Sequence, residues 1–251
     1  MQLHNTAEDE DNEMELKIAV SPRRLFLALL LIIAALAVFS TLGGMALYFM
    51  ELGEHGRTVV QRFWLGSEGN IPTLFAAIIL LLAALLLGVI WRVKRRQADR
   101  YALHWGLLAL LFGYLGFDEG ARIHELAGPV FVNAFGETAL FTDTFLGSRA
   151  WVLAGGVVVL LVGAAYFRFL RHFPARIRNL VLLAGAIFVA AALGLEILGG
   201  IHEYRYGQEN VIYGLLVTTE EVLEMGAVAL FIYTLLVYLR SFMNTVRVSL
   251  V

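Results

Sequence analysis

The chain contains no cysteine, and only 16% of its residues are charged, against about 25% in an average soluble domain. Without cysteine there is no disulfide scaffold, no thiolate-ligated metal and no thiol nucleophile. No Gly-x-Ser-x-Gly, His-Glu-x-x-His or glycine-rich phosphate motif occurs either. The basic residues lie in short segments between apolar runs, which is not the basic stripe that nucleic acid requires. What is abundant is apolar: 59% of the 251 residues, against about 45–50% ordinarily. Together these features exclude a soluble globular domain and predict an all-α, polytopic membrane bundle.

A membrane helix needs roughly 20 mostly apolar residues to cross about 30 Å of hydrocarbon. Six stretches meet this, at residues 25–50, 72–91, 101–123, 150–169, 177–201 and 211–239. The third is the least obvious. Its uninterrupted apolar part stops at Phe117, so its helix must continue through Asp118 and Glu119 to span. With a cytoplasmic N-terminus, 14 of the 19 Lys and Arg residues fall on the inner side. Arg57, Arg62, Arg122, Arg149 and Arg205 are left outside. The positive-inside rule then sets both termini in the cytoplasm, in the inner membrane of a bacterial-type cell.

Three segments follow. Residues 1–22 form an acidic, disordered cytoplasmic tail, with Asp and Glu concentrated in residues 7–15. Residues 23–241 are the six-helix domain, and residues 242–251 a short cytoplasmic tail. The first apolar run is too long for the 7–15 residues or so of a signal-peptide core, so it reads as a retained helix.

The chain also repeats itself. Residues 115–125 read LGFDEGARIHE and residues 193–203 read LGLEILGGIHE. Both match L-G-x-[DE]-x-x-x-x-I-H-E, each at the end of a span, 78 residues apart. A degenerate form closes the first span, with Met45 in place of the acid. The simplest account is three related helical hairpins, an arrangement known in transporter folds.

The acids are distributed opposite to the bases. Those inside or bordering the spans are Asp118, Glu119, Glu125, Glu196, Glu203, Glu220, Glu221 and Glu224, with His124 and His202 among them. If span six enters the bilayer near Val211, Glu220 and Glu221 lie about 14–15 Å deep and Glu224 about 20 Å deep. An unpaired carboxylate at mid-membrane costs about 2.5–3.5 kcal/mol or more. Protons, arginines or a cation must therefore offset these charges. Helical spacing lets Glu220 or Glu221 pair with Glu224 on one ligand, aligns Asp118 with Glu125 and Glu196 with Glu203, and sets Arg122 one turn from Asp118.

The leading expectation is a metal site, with Glu196, Glu221 and Glu224 as inner ligands and His124 and His202 as outer ones. Oxygen donors with two imidazoles suit a divalent metal, iron or manganese ahead of zinc. Such a centre would serve an enzyme acting on a lipid or a small periplasmic substrate, the metal activating water or a redox step. The Glu-x-x-His signature of bundle di-metal sites is absent from both repeats. A second reading is a proton or cation transporter, against which the inner halves of the spans offer little beyond His104. A third is a packing network of hydrogen-bonded acids. Two long outer loops, residues 53–71 and 126–149, mix aromatics with glycines and acids. Each offers a docking surface for a protein partner, and the second could instead lie as a short interfacial helix over the acids.

Overall fold

The structure is a computed structural model that describes residues 15–16, 21–123, 151–242 and 246–247. Apart from a two-residue antiparallel pairing of Glu15–Leu16 with Val246–Arg247, its regular elements are helical. They are α1 (Pro22–Phe49), α2 (Glu54–Phe63), α3 (Ile71–Arg96), α4 (Ala102–Ala121), α5 (Trp151–Arg171), α6 (Ala175–Val189), a π-helical turn at Ala190–Leu195, α7 (Glu196–Tyr206) and α8 (Val211–Phe242). Among the described residues, five helices are long and apolar enough to cross a membrane: α1, α3, α5, α8 and the continuous run Ala175–Tyr206. The chain is therefore an integral membrane helical protein, and its apolar outer surface faces lipid.

The fourth helix is not one of those five. Its 20 residues rise about 30 Å, but Asp118 and Glu119 occupy its final turns. It does continue through both acids to Ala121, as the third apolar run requires.

A helix that is apolar on every side belongs inside a bundle, and α8 sits at the centre. It packs against α1, α3, α6 and α7. Ala229, Ile232 and Leu235 on it are almost completely buried. The α4 helix runs along α3, where Gly116 lets the two backbones close up. A Cβ there would stand 3.0 Å from Leu81 and 3.2 Å from the Ala77 carbonyl oxygen. A Cβ at Gly113, Gly194, Gly199 or Gly226 would meet no described neighbour that near. The neighbours α3–α4 and α1–α8 join helices of different expected hairpins, while α6 and α8, the third expected hairpin, do pack together.

The segment between α1 and α3 doubles back. Phe63 of α2 meets Phe39 at 5.6 Å, Val60 lies against Gly43, and the Leu65 N–H donates to the buried Ser40 hydroxyl at 3.0 Å. Thus α2 descends along the last turns of α1. Asn70 then links the two elements that follow. Its amide donates to the Trp64 carbonyl at 2.6 Å, and its Oδ1 accepts from Thr73 N–H at 3.1 Å, capping α3 ahead of Pro72.

Candidate functional site

The bundle has two chemically distinct ends. At one, Trp105 stacks on Tyr238 at 5.2 Å and meets Phe169 edge-on at 5.1 Å. His104 stacks on Phe169 at 5.2 Å, and the Tyr166 hydroxyl donates to the His104 carbonyl at 2.9 Å. Its Nδ1 is buried with no hydrogen-bond partner among the described residues. Lys94 lies 4.8 Å from the Phe242 ring and 3.4 Å from Asp99. Burial pushes the Asp99 carboxyl upward, but the Tyr101 backbone N–H and Lys94 outweigh it and hold it below its ordinary 3.8.

At the other end three carboxylates meet. Glu119 of α4 and Glu221 and Glu224 of α8 line one small cavity of about 10 Å³. Its remaining walls are apolar: Ala76, Ile79 and Leu80 of α3, Phe188 of α6, and Met225 and Val228 of α8. That volume admits about one water-sized species. Glu221 also lies in electrostatic range of Glu196 and Glu68, and Glu224 in range of Glu220 and Glu196. Four elements therefore bring acids to one place, and the spacing of Glu221 and Glu224 does put both on one side of α8.

The other sequence-predicted residues are placed as follows. Asp118 and Glu220 are buried, and neither lines the cavity. On α4 the acid that lines the cavity is Glu119, one residue beyond the repeat position, although Asp118 is the more buried of the two. His202 lies near the end of α7 and reaches across to the turn that leads into α8. Its Nε2 donates to Asn210 Oδ1 at 2.8 Å and its ring lies 4.9 Å from that of Tyr206. Glu203 accepts from the Gln208 amide in the same turn. The α4 helix ends at Ala121, and the expected alignment of Asp118 with Glu125 lies outside the described residues. Arg122 adopts a left-handed conformation, φ 55°, with its N–H on the Asp118 carbonyl oxygen. His124, Glu125 and the loop at 126–149 lie outside the described residues. Among the described residues no group of three or more His, Asp and Glu side chains is arranged to hold a metal ion.

Two features were not anticipated from the sequence. Glu68, in the segment held by Asn70, pairs with Arg122 Nε at 3.0 Å at the rim of the acidic end. The only available signal was an acid in a long loop. Second, the π turn at Ala190–Leu195 ends directly before Glu196. A π turn inserts a residue into the helical register and commonly marks functional positions. Here it sets the rotation of Glu196.

Below the cavity the bundle is closed. Ala83, Leu87 and Ile90 of α3 are fully buried, facing a buried α8. No ionisable side chain is buried between the acids and the aromatic end among the described residues.

The chain belongs to the family of the domain of unknown function DUF8692, whose model matches residues 24–239. No curated protein and no solved structure matches it.

Proposed function

We propose that the protein is a six-helix membrane protein, with α4 as the sixth span, whose acidic end is a small-cation site open to the outer side, with the proton as its favoured ligand. The observation that carries this reading is the convergence of Glu119, Glu221 and Glu224 on a cavity sized for about one water. Like charges so close in an apolar setting must be offset by something positive. The cavity is too small for a lipid or an organic substrate, and its walls offer carboxylate oxygens but no imidazole.

The depth of the site is revised in this reading. The α8 helix has 32 residues, about 48 Å at 1.5 Å per residue, and overshoots a hydrocarbon layer of about 30 Å. Lys94 and Tyr238 mark the basic, aromatic end, which is where a cytoplasmic interface belongs. Measured from Tyr238, Glu224 stands about 21 Å and Glu221 about 26 Å along α8. The acids then lie in the outer third of the layer, about 4–9 Å below its outer boundary, in reach of external protons. The surplus of α8 rises above them together with α7 and the α1–α2 hairpin.

The buried apolar layer of Ala83, Leu87, Ile90, Ile232 and Leu235 favours a site that exchanges with one side over a conduit through the bundle. In the same reading both termini face the cytoplasm, the membrane is the inner one, and the L-G-x-[DE] repeat records duplicated helix ends. The rival is a divalent metal, iron or manganese before zinc, held by the same acids with help from His124 or His202, which would bring membrane-embedded metalloenzyme chemistry back.

Infrared difference spectra of purified protein between pH 5 and pH 9, with elemental analysis of the same sample, test the proposal. A protonated-carboxyl band that titrates in wild type and is lost in Glu221→Gln and Glu224→Gln is the expected result. Stoichiometric iron or manganese that disappears in those variants would replace the proton reading with the metal one. If neither a band nor a metal is present, the acids are packing elements and the proposal fails.

A further inference from the structure

The basic end presents a second, independent surface. Two turns meet there: one joins α3 to α4, the other joins α5 to α6. Tyr101 is where they touch. Its hydroxyl donates to the Arg168 carbonyl at 3.5 Å, and its ring lies 5.2 Å from that of His172. The Arg100 guanidinium sits over the ring of its own neighbour Tyr101 at 4.6 Å, and Arg171 lies 5.7 Å from the ring of Phe167, one turn earlier on α5. Such contacts hold a guanidinium by its face while leaving its N–H edge open.

Arg100, Arg168 and Arg171 are all exposed. The nearest acid, Asp99, is engaged by Lys94 and the Tyr101 N–H. No carboxylate pairs with these three arginines among the described residues. The aromatic group of Tyr101, Trp105, Tyr166 and Tyr238 directly beside them has the amphipathic composition of a membrane–water boundary. Three guanidiniums with no carboxylate partner among the described residues therefore stand beside this aromatic group.

We propose that Arg100, Arg168 and Arg171, gathered around Tyr101, form a docking surface for the phosphodiester headgroup of an anionic phospholipid. A basic residue in the outer-lying loops of a helix bundle needs no more explanation than topology. What the tertiary structure adds is that Tyr101 brings the α3–α4 connection, with Arg100, against the end of α5, with Arg168 and Arg171, through its contacts with the Arg168 carbonyl and the His172 ring, while local aromatic rings hold two of the three cations. A phosphodiester suits that set, because guanidinium N–H groups pair with phosphate oxygens in a fixed fork, and each cation near an anionic leaflet contributes binding.

The test uses the full-length chain in neutral detergent, titrated with phosphatidylglycerol, phosphatidylcholine or sodium phosphate, with bound lipid read by native mass spectrometry and the thermal midpoint read alongside. Wild type retains phosphatidylglycerol in preference to phosphatidylcholine and is stabilised by it. Each Arg→Gln exchange weakens retention about fivefold, and the Arg100→Gln, Arg168→Gln, Arg171→Gln triple variant roughly a hundredfold. These positions are exposed, so the variants fold; Arg23→Gln and Arg24→Gln, also exposed and basic, serve as a control and keep full retention. Three results overturn the proposal. Equal retention of both lipids shows a non-specific apolar annulus. Stabilisation by sodium phosphate as large as by phosphatidylglycerol shows a free-anion site. Binding that appears only when residues 1–14 are removed assigns the surface to the chain's own acidic segment.

Discussion

The two ends of this bundle are built on opposite terms. At the basic end, Trp105, Tyr166, Phe169, Phe173 and Tyr238 pack together, edge to face apart from the stacked pair Trp105–Tyr238, and the charges stand outside, over ring faces. At the acidic end the charges point inward. Glu119, Glu221 and Glu224 occupy a cavity whose other walls are apolar. The first arrangement lowers free energy by packing, while the second raises it by bringing like charges together. Side chains that a bundle holds against electrostatic preference are the ones to examine for function.

That contrast can be broken by substitution. The largest effect is expected from Trp105→Ala. It removes ring contacts with Phe169, Phe173 and Tyr238 and should cost about 3–5 kcal/mol, read as a fall in thermal midpoint in detergent. A loss under about 1 kcal/mol would mean that the aromatic end repacks and is not the fastening described above.

Next comes Gly116→Leu, which forces a side chain into the α3–α4 contact at Leu81 and Ala77. Overpacking of this kind costs about 1–3 kcal/mol, and it should also displace Glu119, which lies three residues on. Reduced stability with an unchanged carboxyl titration would show that Glu119 does not depend on the α3–α4 fit.

Glu224→Gln should behave in the opposite sense. It removes one acid that a proton must otherwise offset, so as pH rises toward about 9 the variant should lose about 1 kcal/mol less stability than wild type, the scale of one like-charge contact. A clear fall in midpoint would identify Glu224 as a structural fastener and erase the distinction between the two ends.

The smallest effect belongs to Asp99→Asn. The wild-type carboxyl titrates below 3.8, so whatever it contributes is complete at neutral pH and is lost as acid protonates it. The pair with Lys94 is close to the surface and is worth under about 1 kcal/mol. Wild type and variant should therefore differ slightly at pH 7 and converge as the pH falls below the ordinary carboxylate range. A gap that persists in acid would place its origin elsewhere than in the charge.

Much of the fold was legible in the residues taken alone. Hydropathy is a local property, and a helix in hydrocarbon satisfies its own backbone. The apolar runs accordingly became α1, α3, α5, Ala175–Tyr206 and α8 with ends close to those expected. The acids of α8 were readable for a similar reason. Glu221 and Glu224 are one helical turn apart, so if one faces inward so does the other. The choice between Asp118 and Glu119 was not readable, because it depends on the rotation of α4 against α3, where Gly116 meets Ala77. Nor was the place of His202 readable, since its partner Asn210 caps a helix whose start is fixed by the turn at Gly207.

The sequence by itself determined that this chain is a helical membrane protein with acids toward one end and bases toward the other. Those facts rest on transfer free energies that each segment carries with it. Only the tertiary structure decided which acids meet, that Glu68 joins them across a doubled-back segment, and that two distant turns share Tyr101. Those outcomes depend on helix rotation and on how far each helix outruns its neighbours. Both are settled by side-chain packing between segments that share no local code.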